Sequence, residues 1–234
     1  MVTTPSLPVV LVPGLACTPR LYAEQMPALW TFGPVVVADH RRGDSMDVIA
    51  RQLLAEAPPR FALLGLSMGG YIALAVQRLA PDRVMKLALL DTGSRNDTPE
   101  ASERRKASME KVRTGGLEAV METLWPVLVH KNRRDDAALK RIVFEMAMTA
   151  GPDAFVRQQQ AIMTRPDSRP GLSAIRCPTL VLVGEGDELT PPALADEMAS
   201  NIPNSRLVKV PDSGHLSTLE QPEAVTKALV EWMG

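Results

Sequence analysis

The residues best placed to do chemistry sit in one short run, Phe61-Ala-Leu-Leu-Gly65-Leu66-Ser67-Met68-Gly69-Gly70, which leads into the apolar helical pattern YIALAVQRLA. A sharp strand-to-helix turn of the form G-x-S-x-G lifts a serine hydroxyl above a sheet, at the positive end of the following helix. Gly65 and Gly69 flank Ser67 at that spacing, where a side chain would collide with the neighbouring strand or helix. The backbone N–H of Met68, directly after the serine, is then a donor for a developing oxyanion. A turn that merely packs a helix onto a sheet could use the same small residues. The strand pattern before Ser67 and the helix pattern after it favour a nucleophile.

A serine nucleophile needs a base, and the base needs an acid to orient it. The chain has three histidines, His40, His130 and His215. His215, in Pro211-Asp-Ser-Gly-His215-Leu, follows the last strand-like run, where a parallel sheet builds its site, and is the candidate base. His130, in the charged run HKNRRDD, reads as a solvated helix end. His40, in Asp39-His-Arg-Arg-Gly43-Asp-Ser45, reads as part of the site's outer rim.

Two carboxylates follow strand ends, Asp187 in Val183-Gly-Glu-Gly-Asp187 and Asp91 after the run 85–90. The chain order Ser67, Asp187, His215 is that of a known triad arrangement, which makes Asp187 the first choice. Asp91 is the alternative acid, or else a hydrogen-bonding group at the entrance to a helical insertion. Glu185 and Asp212 read as exposed loop charges. After the first strand, Val12-Pro13-Gly14-Leu15-Ala16-Cys17 offers a second oxyanion donor: Gly14 lets the backbone turn close to a substrate, and the Leu15 N–H is the candidate. Cys17 has no base beside it and reads as a small pocket-edge residue, and Cys177 as packing at a strand entry.

These residues require a scaffold, and the hydrophobic pattern supplies one. Apolar runs at 7–12, 34–38, 61–66, 85–90, 179–183 and 206–210 alternate with helical patterns near 20–29, 46–56, 69–79, 192–201 and 222–233. Such alternation predicts an α/β fold: a mainly parallel sheet of about six strands, with helices on both faces joined by right-handed crossovers. Five of the runs lack polar alternation, as strands buried on both faces do; 206–210 mixes in charges and reads as an edge. Residues 96–171 contain no strand-like run. Breakers at Gly115-Gly116, Trp125-Pro126 and Gly151-Pro152 predict about four helices there, a cap inserted between core segments 1–95 and 172–234. Met109, Met121, Met146, Met148 and Met163 fall in this cap, and flexible thioethers suit either an adaptable apolar pocket or ordinary helix packing.

Composition excludes several functions. With 26 Lys and Arg against 27 Asp and Glu, the chain lacks the basic excess of a nucleic-acid binder. No apolar run approaches the ~20 residues of a membrane span. The first residues, MVTTPSLPVV, carry no basic region before the apolar stretch, against a signal peptide. Two distant cysteines without metal spacing fit reduced thiols and a cytoplasmic location. The same scarcity of ligands predicts no metal site.

With those residues assembled, the chain resembles the α/β-hydrolase superfamily, in its compact serine carboxylesterase-like branch. The segments PGLAC, DHRRGDS, GLSMGG, LLDTG, GEGDELTPP and SGHLSTLEQPE carry the resemblance in family order across nearly the whole chain. It implies a Ser67–His215–Asp187 triad, oxyanion donors at Leu15 and Met68, no cofactor, and a small-molecule ester substrate for a monomer or homodimer. The same triad also serves thioesterases, lactonases and C–C bond hydrolases, and ligand receptors exist on the same fold. Two departures stand out. Pro13-Gly14 replaces a common His-Gly, removing any role of that histidine in fixing the loop. The first strand begins so early that the family's N-terminal hairpin is expected to be missing.

Overall fold

A computed structural model describes residues 6–234. Its six strands are β1 (Val9–Val12), β2 (Val35–Val37), β3 (Phe61–Leu66), β4 (Val84–Leu90), β5 (Thr179–Gly184) and β6 (Ser205–Val210). They form one parallel sheet in the order β2-β1-β3-β4-β5-β6. The helices are α1 (Met26–Leu29), α2 (Met46–Glu56), α3 (Met68–Leu79), α4 (Pro99–Leu128), α5 (Ala137–Ala150), α6 (Pro152–Met163), α7 (Pro192–Asn201), α8 (Ser217–Glu220) and α9 (Pro222–Met233). Strand order reverses at β1, so the connections leaving β1 and β3 part there and open a crevice at the strands' carboxyl ends.

The two-residue period of a strand sorts the core. Leu11, Ala62, Leu64, Ala88, Leu90, Leu180 and Leu182 pack on one face of the sheet, against α9 and the helices between β4 and β5. Their neighbours Val10, Val12, Leu63, Leu87, Leu89, Val181 and Val183 pack on the other, against α2, α3 and α7. Both faces are therefore covered, as the unbroken apolar runs predict.

The edges differ from expectation at one end. The charged strand β6 is an edge as expected, but so is β2, whose Val36 is 39% exposed. Composition could not reveal this: three consecutive valines suit an edge as well as a centre. The helical pattern at 20–29 also divides, into a 3₁₀ turn at Pro19–Tyr22 and the single turn α1, with Pro27 near the start of the latter. Between β4 and β5, Gly116 (φ 82°) breaks α4 and Gly151 (φ 86°) separates α5 from α6. Pro126, by contrast, stays inside α4. It lies so near the carboxyl end that little of the helix follows it, and Trp125 Nε1–H and the Arg134 guanidinium, bonded to the Arg134 and Pro126 carbonyls at 2.8 Å each, tie off that end. Of the five methionines here, Met109, Met121 and Met146 are buried in helix packing, while Met148 is 44% exposed. Among the described residues no helix is long and apolar enough to cross a membrane.

Candidate active site

The turn between β3 and α3 is built around one unusual backbone conformation. Ser67 has φ 56° and ψ −116°, which is sparsely populated for a residue with a side chain and costs on the order of 1–3 kcal/mol. Its surroundings impose it. The Ser67 N–H donates to the Leu90 carbonyl at 2.9 Å, and its carbonyl accepts from the Gly70 N–H at 2.9 Å and the Thr92 hydroxyl at 2.8 Å. A Cβ at Gly65 would overlap the Gly69 carbonyl, and one at Gly69 the Val12 carbonyl. Strand, turn and helix thus approach this closely only with glycine at both positions.

Ser67 Oγ donates to His215 Nε2 at 2.8 Å, and His215 Nδ1 donates to Asp187 Oδ2 at 2.8 Å. An ionised carboxylate can only accept, so the ring proton sits on Nδ1 and the Nε2 lone pair faces the serine. Asp187 is itself fixed: Oδ1 accepts from the Leu189 and Thr190 N–H groups, both at 2.9 Å, and Oδ2 from the Thr190 hydroxyl at 2.6 Å. Burial opposes its charge, but His215 and the Thr190 donors outweigh burial and hold the carboxyl below its ordinary range. At His215 burial disfavours the cation, yet the Asp187 charge, helped by that of Glu220, prevails and raises its pKa.

Asp91 is close by but differently engaged. It is fully buried, with φ 44°, and accepts from the Gly184 N–H at 2.9 Å and from the Ser217 hydroxyl. It makes no hydrogen bond to His215; its partners are the end of β5 and the segment just after His215. Burial, and then the neighbouring Asp187 charge, push its pKa up to about 8, so it is largely protonated at neutral pH.

The sequence singles out no role for Glu220, yet it frames His215. This buried carboxylate accepts from the N–H groups on either side of His215, those of Gly214 (2.9 Å) and Leu216 (3.3 Å), and from the His130 N–H (2.7 Å). The signal in the sequence is an acid five residues after the candidate base, following the otherwise uncharged run Leu216-Ser-Thr-Leu219; once buried, such a charge must find donors. His130 is accordingly no solvated helix end. It is half-buried, its N–H held by Glu220, and its Nδ1 accepts from the Asn132 N–H at 3.3 Å.

The loop after β1 is anchored at Val12, whose carbonyl accepts from the Tyr22 hydroxyl at 2.8 Å. Leu15 is half-buried, and its N–H meets no protein acceptor among the described residues. Met68 opens α3, where a helix leaves its N–H groups without intrahelical partners. His40 is 1% exposed and bonds the Pro13 carbonyl through Nε2 at 2.7 Å, so it supports this loop from within and does not line a rim. Cys17 is buried, which pushes its thiol up to about 12 and leaves no thiolate near neutral pH. Both cysteines are free. Among the described residues no cluster of three or more His, Cys, Asp or Glu side chains could hold a metal ion.

Comparison with known proteins identifies the family and the fold. Residues 9–228 match the model of the alpha/beta hydrolase family. A thermophilic esterase from Thermogutta terrifontis superposes with a TM-score of 0.87 at 34% identity, over 97% of this chain and 89% of that one. The enol-lactonase from Burkholderia xenovorans LB400 superposes at 0.89 with 25% identity, over 100% and 93%. A Mycobacterium tuberculosis protein provisionally named non-heme bromoperoxidase BpoC is 31% identical over 185 residues, 75% of this chain and 68% of its own. With its parallel sheet, its strained serine turn and a family match along almost its whole length, the chain belongs to the alpha/beta hydrolase family.

Proposed function

We propose that the protein is a serine hydrolase of carboxylic esters, working through an acyl-serine intermediate on small or medium aliphatic substrates. The observation that carries this reading is the pair of 2.8 Å hydrogen bonds linking Ser67 Oγ, His215 and Asp187. His215 Nε2 takes the hydroxyl proton as Ser67 Oγ attacks the ester carbonyl. The N–H groups of Leu15 and Met68 hold the resulting oxyanion, and His215 returns the proton to the departing alkoxide. A water molecule then gives its proton to His215 and attacks the acyl-serine, releasing the acid and restoring the serine. Asp187 keeps the ring in the productive tautomer and stabilises its cation. The esterase named among the similar structures supports the reaction class.

A cyclic ester is a second substrate class, favoured by the likeness to an enol-lactonase along the whole chain. A panel of p-nitrophenyl esters of increasing acyl length, with lactones and acyl thioesters alongside, tests the proposal. Turnover of short or medium esters that exceeds that of thioesters is the expected result. Thioester turnover far above every ester, or no turnover at all, would overturn it.

A further inference from the structure

The loop bearing the Leu15 N–H holds an awkward shape, since Ala16 adopts φ 56° although it is not glycine. Two buried polar side chains from distant parts of the chain meet it. His40, in the connection after β2, bonds the Pro13 carbonyl through Nε2 at 2.7 Å. Its Nδ1 lies 2.9 Å from Gln158 Nε2 on α6, and Gln158 Oε1 accepts from the Ala16 N–H at 2.9 Å. Both side chains are at most 1% exposed.

The chemistry permits only one arrangement of this relay. A carbonyl cannot donate, so His40 Nε2 carries the proton, and the neutral ring accepts at Nδ1 from the Gln158 amide. That choice turns Gln158 Oε1 toward the Ala16 N–H. Reversing the amide would set an NH₂ group against an N–H donor. Burial lowers the His40 pKa, consistent with a neutral ring. Two large polar groups are thus buried where the backbone partners of Leu15's neighbours are fixed, an expensive placement unless every heteroatom is used, as here.

We propose that His40 and Gln158 act together as positioning residues for the oxyanion loop. By holding the Pro13 carbonyl and the Ala16 N–H they aim the Leu15 N–H between them at the reacting carbonyl. Because Gln158 belongs to α6, docking of the inserted helices and the shape of the oxyanion site form one unit. Arg157 Nε, bonded to the Arg41 carbonyl at 3.0 Å, ties α6 to the same connection. The proposal rests on the ester-hydrolase reading.

Four variants, His40→Ala, Gln158→Leu, Gln158→Glu and the double variant His40→Ala/Gln158→Leu, test it against wild type and Ser67→Ala on the best ester of the panel. A donor displaced by a fraction of an ångström should lower kcat by about 10- to 100-fold in His40→Ala and Gln158→Leu, with KM within about twofold. The double variant should be no worse than the poorer single one. Gln158→Glu, which still offers Ala16 an acceptor but loses the amide donor to His40 Nδ1, should have a kcat between those of Gln158→Leu and wild type. Affinity for a trifluoromethyl ketone, whose adduct with Ser67 is an oxyanion, should fall in step with kcat/KM. Wild-type kcat in both His40→Ala and Gln158→Leu, or losses confined to KM or thermal stability, would overturn the proposal. A Ser67→Ala variant as active as wild type would instead overturn the hydrolase reading beneath it.

Discussion

The Asp91 carboxyl receives the Ser217 hydroxyl, two residues beyond His215, and leaves the imidazole Nδ1 to Asp187. Two acids at neighbouring strand ends therefore divide the work: one is ionised and orients the base, while the other is largely protonated and braces the loop that carries it. Asp187→Asn should lower kcat by about 10³–10⁴-fold, because an amide there favours the wrong tautomer of His215. Asp91→Asn, which replaces a neutral acid by a neutral amide, should stay within about fivefold of wild type at pH 7. Steady-state kinetics on one ester separates the two; equal losses would contradict the division.

Activity should fall on the acid side as His215 gains its proton, since only the neutral ring can take one from Ser67. The neighbouring carboxylates raise this pKa despite burial, so the midpoint of the kcat/KM profile should lie above the ordinary imidazole value. Glu220→Gln removes one of those charges and should move the midpoint to lower pH. A pH profile of wild type and variant measures both shifts.

The strain at Ser67 should be recoverable as stability. Ser67→Gly, which adopts φ 56° freely, should unfold about 1–2 kcal/mol later than wild type while losing turnover. Thermal denaturation checks this, and a lower midpoint in the variant would contradict the strain argument.

The helices between β4 and β5 are pinned by a partly buried ion cluster. Asp97 accepts from Arg105 at 2.6 Å and from Arg165 at 2.7 Å, and Arg165 also stacks 4.2 Å over the Tyr71 ring of α3. Asp97→Ala leaves two cations without their partner and should cost about 3 kcal/mol, or roughly 6–12 °C in Tm. Burial works to raise the Asp97 pKa, but the two arginines outweigh it and the net shift is downward. Its stabilising effect is therefore present above the ordinary carboxylate range and lost as pH falls through the folded-state value. Wild type should lose more stability than Asp97→Ala on acidification.

What could be read without the structure depended on how local each signal is. The bounds of α2, α7 and α9 and the serine turn were legible because spacing, caps and glycines lie within a few residues of one another. The division of 20–29, the edge position of β2 and the survival of Pro126 inside α4 turn on neighbours that a short window does not contain. His40 is the clearest case. Its two partners lie 27 and 118 residues away, so no local pattern marks it as part of the loop after β1. Glu220 is intermediate: two of its three amide donors are close in sequence, and the third comes from His130, 90 residues back.

The proposed hydrolysis runs through a covalent acyl-serine at Ser67. Rapid mixing with a p-nitrophenyl ester, followed by an acid quench and mass spectrometry of the peptides, measures it directly. The expected result is a burst of about one equivalent of p-nitrophenol per chain or less, an acyl mass on the peptide containing Ser67, and neither in Ser67→Ala. An acyl group on Cys17 or any other residue, or undiminished turnover in Ser67→Ala, would contradict it.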